Sequence, residues 1–295
     1  MPGDLDRDVL DTLLQRSPVL RELVDEPRRK PELVSALDVS RSTVDRAIRD
    51  LERLDFAERV EGGVRSTFAG RLAFRSLEEF SARVDTTASL SDMLRHVDPD
   101  CGLTPDVLVG SELYLGEQPA PYQIARRLES IIEDAASVRV LKSTISNSGS
   151  IEVIADAVLD GTEFEIVYQV DLARFLAQNQ DEARARMAES DGYRAFCVEE
   201  VPCDLLVVEC HDGNLFVVIV VYDDEVLRGM VLNEGEAAVE WATDLYERCR
   251  GTAWEITPVF RGDDVDGEAS LLAPDDRAGR GDDVSEAAGD PVDEE

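Results

Sequence analysis

The stretch PELVSALDVSRSTVDRAIRDLERL, residues 31–54, leaves the backbone little choice. Pro31 suits the first turn of a helix, and apolar residues at helical spacing carry that helix to about Leu37. The periodicity then breaks at DVS. Asp38–Ser40 is expected to make a tight turn, with Ser40 placed to cap the helix that follows. The second helix runs from about Arg41 to Leu54, and short helix, turn and longer helix together make a helix-turn-helix. At about 100° per residue, Val44, Ile48 and Leu51 form one stripe with Ala47 and Leu54 at its edge. Ser42, Arg46, Arg49 and Arg53 lie directly opposite.

The flanks extend this unit. Upstream, LDRDVLDTLLQR and PVLRELVD place leucines and valines at helical spacing before the break at Pro27. Downstream, Phe56–Phe68 alternates around Gly62-Gly63, a two-residue hairpin signal. A helix-turn-helix followed by a hairpin is a winged helix, and the wing carries Arg59 and Arg65. The segment TFAGRLAFRSLEEFSARVDTTASLSDMLRHV then reads as one or two amphipathic helices, which either pair two subunits or only link two domains.

The arginine stripe has two readings. On a recognition helix, guanidinium forks reach guanine or phosphate, and the N-terminal residues Ser40, Arg41, Ser42 and Thr43 meet bases or the nearest phosphates. On an ordinary solvated face, the arginines would pair with Asp45, Asp50 and Glu52 of their own helix. Arg46 with Asp50 and Arg49 with Arg53 are both four residues apart, so intrahelical pairing satisfies only part of the set.

Charge divides the chain. The formal net charge is −34, yet residues 1–85 hold 15 Lys+Arg against 18 Asp+Glu, a net of −3. The remaining 210 residues carry a net of −31. Lys30 and Lys142 are the only lysines. Few lysines and many carboxylates look like adaptation to a salt-filled cytoplasm, where high net charge maintains solubility. Residues 261–295, dominated by Gly, Ala and carboxylates, are expected to form a disordered acidic tail. MPGDLDRDVLDTLL has no basic or apolar leader pattern, and no apolar run approaches a membrane span, so a cytoplasmic protein without membrane contact is expected. The five cysteines lack CxxC spacing, which argues for small hydrophobes rather than a metal site around Cys197, Cys203, Cys210 and His211.

The second half reads as alternating strands and helices. SVRVLKST (Ser137–Thr144) and EFEIVYQV (Glu163–Val170) are strands, each followed by a helical pattern. YRAFCVEE, DLLVVECHD and NLFVVIVVYD are three more, with a turn at His211–Asn214. VLRGMVLN is another, and a helix from Glu234 to Arg250 closes the domain. The expected fold class is α+β: an N-terminal winged helix-turn-helix over 1–70, a linker helix over 71–100, and a C-terminal α/β effector domain with a mixed sheet over 101–260. In that sheet the later hairpins should add antiparallel edges to a parallel centre. Ligands favour the carboxyl ends of parallel strands, which here carry Lys142, Ser143, Thr144, Ser146 and Asn147, with Gln169 and Asp171 beside them. These groups suit a phosphorylated or carboxylated metabolite, or are simply a polar loop.

The segment ELVSALDVSRSTVDRAIRDLERLDFAERV resembles the winged-helix transcriptional regulators abundant in halophilic archaea. LTPDVLVGSELYLGEQPAPY (Leu103–Tyr122) and AVEWATDLYERCR (Ala238–Arg250) are similar to the effector domain shared with the methanogenesis regulatory protein of filamentous methanogens. The resemblance covers most of residues 10–260. It implies a regulator that binds double-stranded DNA and pairs as a homodimer, its effector generally unassigned; an unknown small-molecule effector of the α/β domain, and no cofactor, are the expectations here.

Two other classes remain. The α/β topology faintly resembles the phospholipase D type of phosphodiesterase, whose chemistry needs paired His-x-Lys elements. His96 and His211 are the only histidines, and neither has lysine two residues on. Gly-rich phosphate loops, GxSxG and HExxH are absent as well, so an enzyme is not expected. A winged helix that binds another protein is the second alternative, and the arginine stripe argues against it.

Overall fold

A computed structural model describes residues 7–115, 123–144, 150–179, 181–223 and 226–262. Within these the chain forms two compact units that divide between Asp85 and Thr86.

The first unit opens with α1 (Arg7–Glu22), one helix that runs through Pro18. Proline at that position removes the bond that the Leu14 carbonyl would receive. The Ser17 hydroxyl donates to that carbonyl instead, at 3.0 Å. Helix α2 (Lys30–Leu37) and helix α3 (Arg41–Arg53) follow, joined by Asp38 in the left-handed conformation (φ 50°). Val44, Ala47, Ile48 and Leu51 of α3 are buried with Leu20, Leu23 and Leu33, so the apolar stripe faces the core as the periodicity requires.

Strands β1 (Ala57–Val60) and β2 (Gly63–Ser66) form the wing. Val60 pairs with Gly63, so the two turn residues are Glu61 and Gly62, one position earlier than expected from the sequence. Gly63 is taken into β2 because the wing docks there. Val64 exchanges two backbone hydrogen bonds with Arg28, at 2.8 and 2.9 Å, and a Cβ on Gly63 would lie 2.2 Å from the Arg28 carbonyl oxygen. Helix α4 (Phe68–Ser89) buries Phe74 and Leu77 in the same core. That burial places the division of the chain later than the expected boundary at residue 70.

The second unit contains the short helices α5 (Ser91–Leu94) and α6 (Pro105–Leu108), separated by a 3-10 turn at Pro99–Cys101. Strand β3 (Glu112–Leu115) and helix α7 (Gln123–Glu133) lead into β4 (Ala135–Lys142). Then come α8 (Ser150–Leu159), β5 (Glu163–Gln169), α9 (Val170–Gln178), α10 (Glu182–Ala188) and β6 (Tyr193–Val198). The chain continues through β7 (Asp204–Cys210), β8 (Leu215–Asp223) and β9 (Val226–Asn233), and ends in α11 (Glu236–Thr252), β10 (Trp254–Glu255) and α12 (Thr257–Arg261).

The strands form one mixed sheet in the order β10-β6-β5-β4-β7-β8-β9-β3. Strands β4, β5 and β6 are parallel, and every other pairing is antiparallel. The antiparallel strands are more than trimming. Strand β7 pairs directly with β4, so half of the sheet is antiparallel and β4 lies at the junction. The apolar run in β8 is explained by burial on both faces. Val218 and Val220 point to a core with α7, α8, α9, α10 and α12, whereas Val217, Ile219 and Val221 point to one with α5, α6 and α11. The α+β class is therefore as the sequence indicates. The expected acidic tail lies, from residue 263 onward, outside the described residues.

Candidate nucleic-acid interface

Ser40 caps α3 by accepting the Thr43 backbone N–H at 3.2 Å. Its hydroxyl also lies 2.8 Å from that of Ser42 and 2.9 Å from that of Thr43, so three hydroxyls cluster at the helix start. All three residues are exposed, as are Arg41, Arg46, Arg49 and Arg53. The expected polar face exists as one surface.

The carboxylates of α3 decide how the arginines are used, and each is taken by a base from another element. Asp45 binds Lys30 of α2, Asp50 binds Arg16 of α1 at 3.0 Å, and Glu52 binds Arg59 of β1 at 2.7 Å. The hydrogen bond from Lys30 holds the Asp45 carboxyl below its usual range, and the hydrogen bond to Glu52 raises the Arg59 guanidinium pKa. Intrahelical pairing is therefore displaced. Arg49 donates to the Asp45 backbone carbonyl at 3.1 Å. Among the described residues, the side chains of Arg41, Arg46 and Arg53 make no ion pair or hydrogen bond. These outside partners are invisible to a helical wheel, because the bases come from three different elements.

The wing arginines, which the sequence places to lie against the backbone or minor groove of DNA, are both paired within the unit. Arg59 is held by Glu52, and Arg65 binds its cross-strand neighbour Glu58 at 2.8 Å. Both pairs are exposed, so either one is cheap to exchange for another anion.

In the second unit, the sheet brings the ends of β4 and β5 side by side, with Lys142 opposite Tyr168. Lys142 is occupied internally: its Nζ lies 3.5 Å from Asp204 Oδ2 and 3.3 Å from the Tyr222 hydroxyl, over that ring. Burial works against the ammonium, but Tyr222 and Asp204 outweigh it and raise the Lys142 pKa above its usual value. Ser143 donates from its backbone N–H (2.7 Å) and its hydroxyl (2.6 Å) to Asp204 Oδ1, with the Thr144 hydroxyl adjacent. Gln169 accepts the Val201 N–H, and Asp171 is exposed and paired with Arg174. Lys142, Ser143 and Thr144 thus share one network through Asp204, a residue the sequence reading did not single out; Gln169 and Asp171 each have separate partners. Ser146 and Asn147 lie outside the described residues.

The histidines are far apart in role. His96 contacts Asp223 at 3.4 Å, whereas His211 is exposed at the β7–β8 turn. Among the described residues no cluster of His, Cys, Asp and Glu fits a metal ion. Cys101 and Cys203 do meet: the hydrogen bond from the Cys203 thiol lowers the Cys101 pKa to about 7, and the same contact pushes Cys203 up. No helix among the described residues is long and apolar enough to cross a membrane.

Residues 121–252 match the family model described as methanogenesis regulatory protein FilR1, middle domain, and residues 5–89 match the HVO_A0261 N-terminal domain. The chain is an archaeal-type transcriptional regulator with a FilR1-like domain. The first match spans the regulator from α7 through α11, and the second spans α1 through α4. Among solved structures the regulator is similar to TrmBL2, an archaeal chromatin protein described as showing a novel mode of DNA binding. Identity is 16%, covering 85% of this chain and 100% of that one, with a TM-score of 0.39. It is also similar to Nuc, a phospholipase D family member from Salmonella typhimurium: 12% identity, 50% of this chain, 97% of that one, TM-score 0.37. Likeness at this level establishes nothing about activity. None of the curated proteins matches the regulator.

Proposed function

We propose that the regulator is a sequence-specific DNA-binding protein that acts as a homodimer and is modulated by a small molecule in its second unit. One observation carries the DNA reading. The three carboxylates of α3 are bound by Lys30, Arg16 and Arg59, which leaves Arg41, Arg46 and Arg53 uncommitted beside Ser42 and Arg49. A helix that only needed solvation would use its own Asp and Glu as partners. Here the surroundings neutralise the acids and present the arginines.

In this reading α3 enters the major groove. Arg46 and Arg49 reach base edges or phosphates, Arg53 lies further along the groove, and Ser40, Arg41, Ser42 and Thr43 meet the backbone at the helix start. Arg59 and Arg65 exchange Glu52 and Glu58 for flanking phosphates. In a salt-filled cytoplasm non-specific phosphate attraction is weak, so directional contacts carry the selectivity.

Helix α4 supports pairing. Phe80 and Val84, one turn apart, are large apolar residues left exposed on this helix, and Phe68 with Leu72 makes a second such pair near its start. A second copy laid along the Phe80–Val84 stretch would cover it and set two recognition helices about 34 Å apart, one turn of DNA. Phe80→Asp with Val84→Asp should then sediment as monomer where wild type sediments as dimer. The effector reading rests on the carboxyl ends of β4 and β5. A phosphorylated or carboxylated ligand there would compete with Asp204 for Lys142 and Ser143. Catalysis is not part of the proposal, since the two histidines have separate surroundings and neither is followed by a lysine at the required spacing.

The test is a gel shift with the gene's own upstream DNA in high potassium chloride. Wild type should shift it in preference to unrelated DNA, and Arg46→Ala with Arg49→Ala should abolish that preference. A wild type without preference overturns the proposal.

A further inference from the structure

Cys101 and Cys203 lie far apart in sequence, yet their side chains meet in the second unit. Cys101 closes the 3-10 turn at Pro99–Cys101, between α5 and α6. Cys203 stands in the turn that leads from β6 into β7. Both are free thiols, the first buried and the second half-buried. A disulfide demands a specific separation and direction of the two side chains. Two sulfurs already in hydrogen-bond contact, each carried by a turn, need only a short movement to reach it.

The two sulfurs are not equivalent. The Cys203 thiol donates to the Cys101 sulfur, and a backbone hydrogen bond at Leu103 adds to it. Together they outweigh burial and the charge of Asp98, and bring the Cys101 pKa to about 7. Near neutral pH about half of this group is thiolate, the form that attacks electrophiles. The same contact, with burial, pushes Cys203 up, so it keeps its proton while Cys101 is charged. A third thiol, Cys249, lies within electrostatic reach of Cys203, but burial raises its pKa and holds it as an unreactive thiol.

Access is selective. Cys101 lies on the wall of an open groove of about 430 Å³, among Leu94, Arg95, Val97, Leu103 and Leu108. It is itself only 2% exposed, so a small molecule reaches the sulfur and a protein thiol does not.

We propose that Cys101 and Cys203 form a reversible thiol–disulfide site that is oxidised by small hydroperoxides. The Cys101 thiolate attacks one peroxide oxygen, the O–O bond breaks, and hydroxide or alkoxide leaves. Cys101 is then a sulfenic acid and the peroxide has gained two electrons. With the charge on Cys101 gone, the Cys203 proton is no longer held. The Cys203 sulfur attacks that of Cys101, the S–O bond breaks, and the departing oxygen leaves as water with the Cys203 proton. A dithiol reverses the bond by exchange. The new bond forms next to Asp204, the carboxylate that holds Lys142 and Ser143. The site lies within the second unit and does not depend on the DNA-binding reading.

The full-length protein tests this by thiol counting after stoichiometric hydrogen peroxide at pH 7. In wild type the count should fall from five to three, peptide mapping should find Cys101 linked to Cys203, and dithiothreitol should restore all five. Cys203→Ser should stop at a Cys101 sulfenic acid, trapped as one dimedone adduct. Cys101→Ser should lose thiols about tenfold more slowly, because its remaining cysteines are mostly protonated. Five thiols retained in wild type, a link between any other pair, or equal rates in wild type and Cys101→Ser would overturn the site. If either variant fails to fold, the mapping of wild type alone decides.

Discussion

Glu52, in the last turns of α3, holds Arg59 of the wing through contacts of 2.7 Å to Nε and 3.4 Å to a terminal nitrogen. The pair ties α3 to the hairpin and at the same time masks a cation beside the exposed arginine face. Glu52→Gln removes the charge and releases Arg59. Non-specific DNA affinity should rise, and the slope of log affinity against log salt should steepen by about 1, as for one added phosphate contact. Fluorescence anisotropy across a potassium chloride series measures both.

Lys30 is expected to matter for DNA without touching it. Its bond to Asp45 keeps that carboxylate from Arg41 and Arg49, whose charges also lower the Asp45 pKa. Lys30→Ala leaves Asp45 free to turn to them. Specific affinity should fall several-fold while Tm changes little, because solvent screens an ion pair as accessible as this one. Adding Asp45→Ala should restore binding. A Lys30→Ala protein with unchanged affinity would show that Asp45 does not compete.

Much of the first unit was legible because its signals are local. The apolar period over Val44–Leu51, the turn at Asp38 and the Ser40 cap lie within a few residues of one another, and each stands in the structure as read. The wing was legible but shifted by one residue, since the reason Gly63 belongs to β2 is the distant Arg28 carbonyl. Strands β3 and β10 were not seen: they are short edges of four and two residues whose pairing partners lie far away in sequence. The carboxylate partners of α3 were equally hidden, and so was the meeting of Cys101 with Cys203, which come from turns far apart in sequence.

Gly70 should be intolerant of alanine although it sits in a helix. On propensity alone Gly→Ala in a helix stabilises by about 1 kcal/mol. Here the new Cβ would lie 2.0 Å from the Phe56 carbonyl oxygen, so α4 has to move off the wing. Thermal or denaturant unfolding should therefore show Gly70→Ala to be destabilised, against the propensity scale.

Asp204 is the expected weak point of the second unit. Its side chain is 4% exposed and serves Lys142 and both donors of Ser143. Asp204→Ala strands a largely buried ammonium, with an expected loss of about 3 kcal/mol in chemical denaturation. The pH dependence has a definite sign. The Lys142 pKa is raised in the fold above 10.5, so its contribution is full below 10.5 and is lost as pH rises through the folded value. Wild type should show this alkaline loss, and Lys142→Met should lack it.

The regulator's function depends on whether the arginine face of α3 reads DNA sequence. Selection of binding sites from random duplex DNA, run in high potassium chloride, tests this with no operator assumed in advance. Wild type should enrich a two-fold symmetric motif with half-sites about one helical turn apart, and the Arg46→Ala, Arg49→Ala, Arg53→Ala triple variant should enrich none. Enrichment of the same motif by both proteins, or of no motif by wild type, would contradict it.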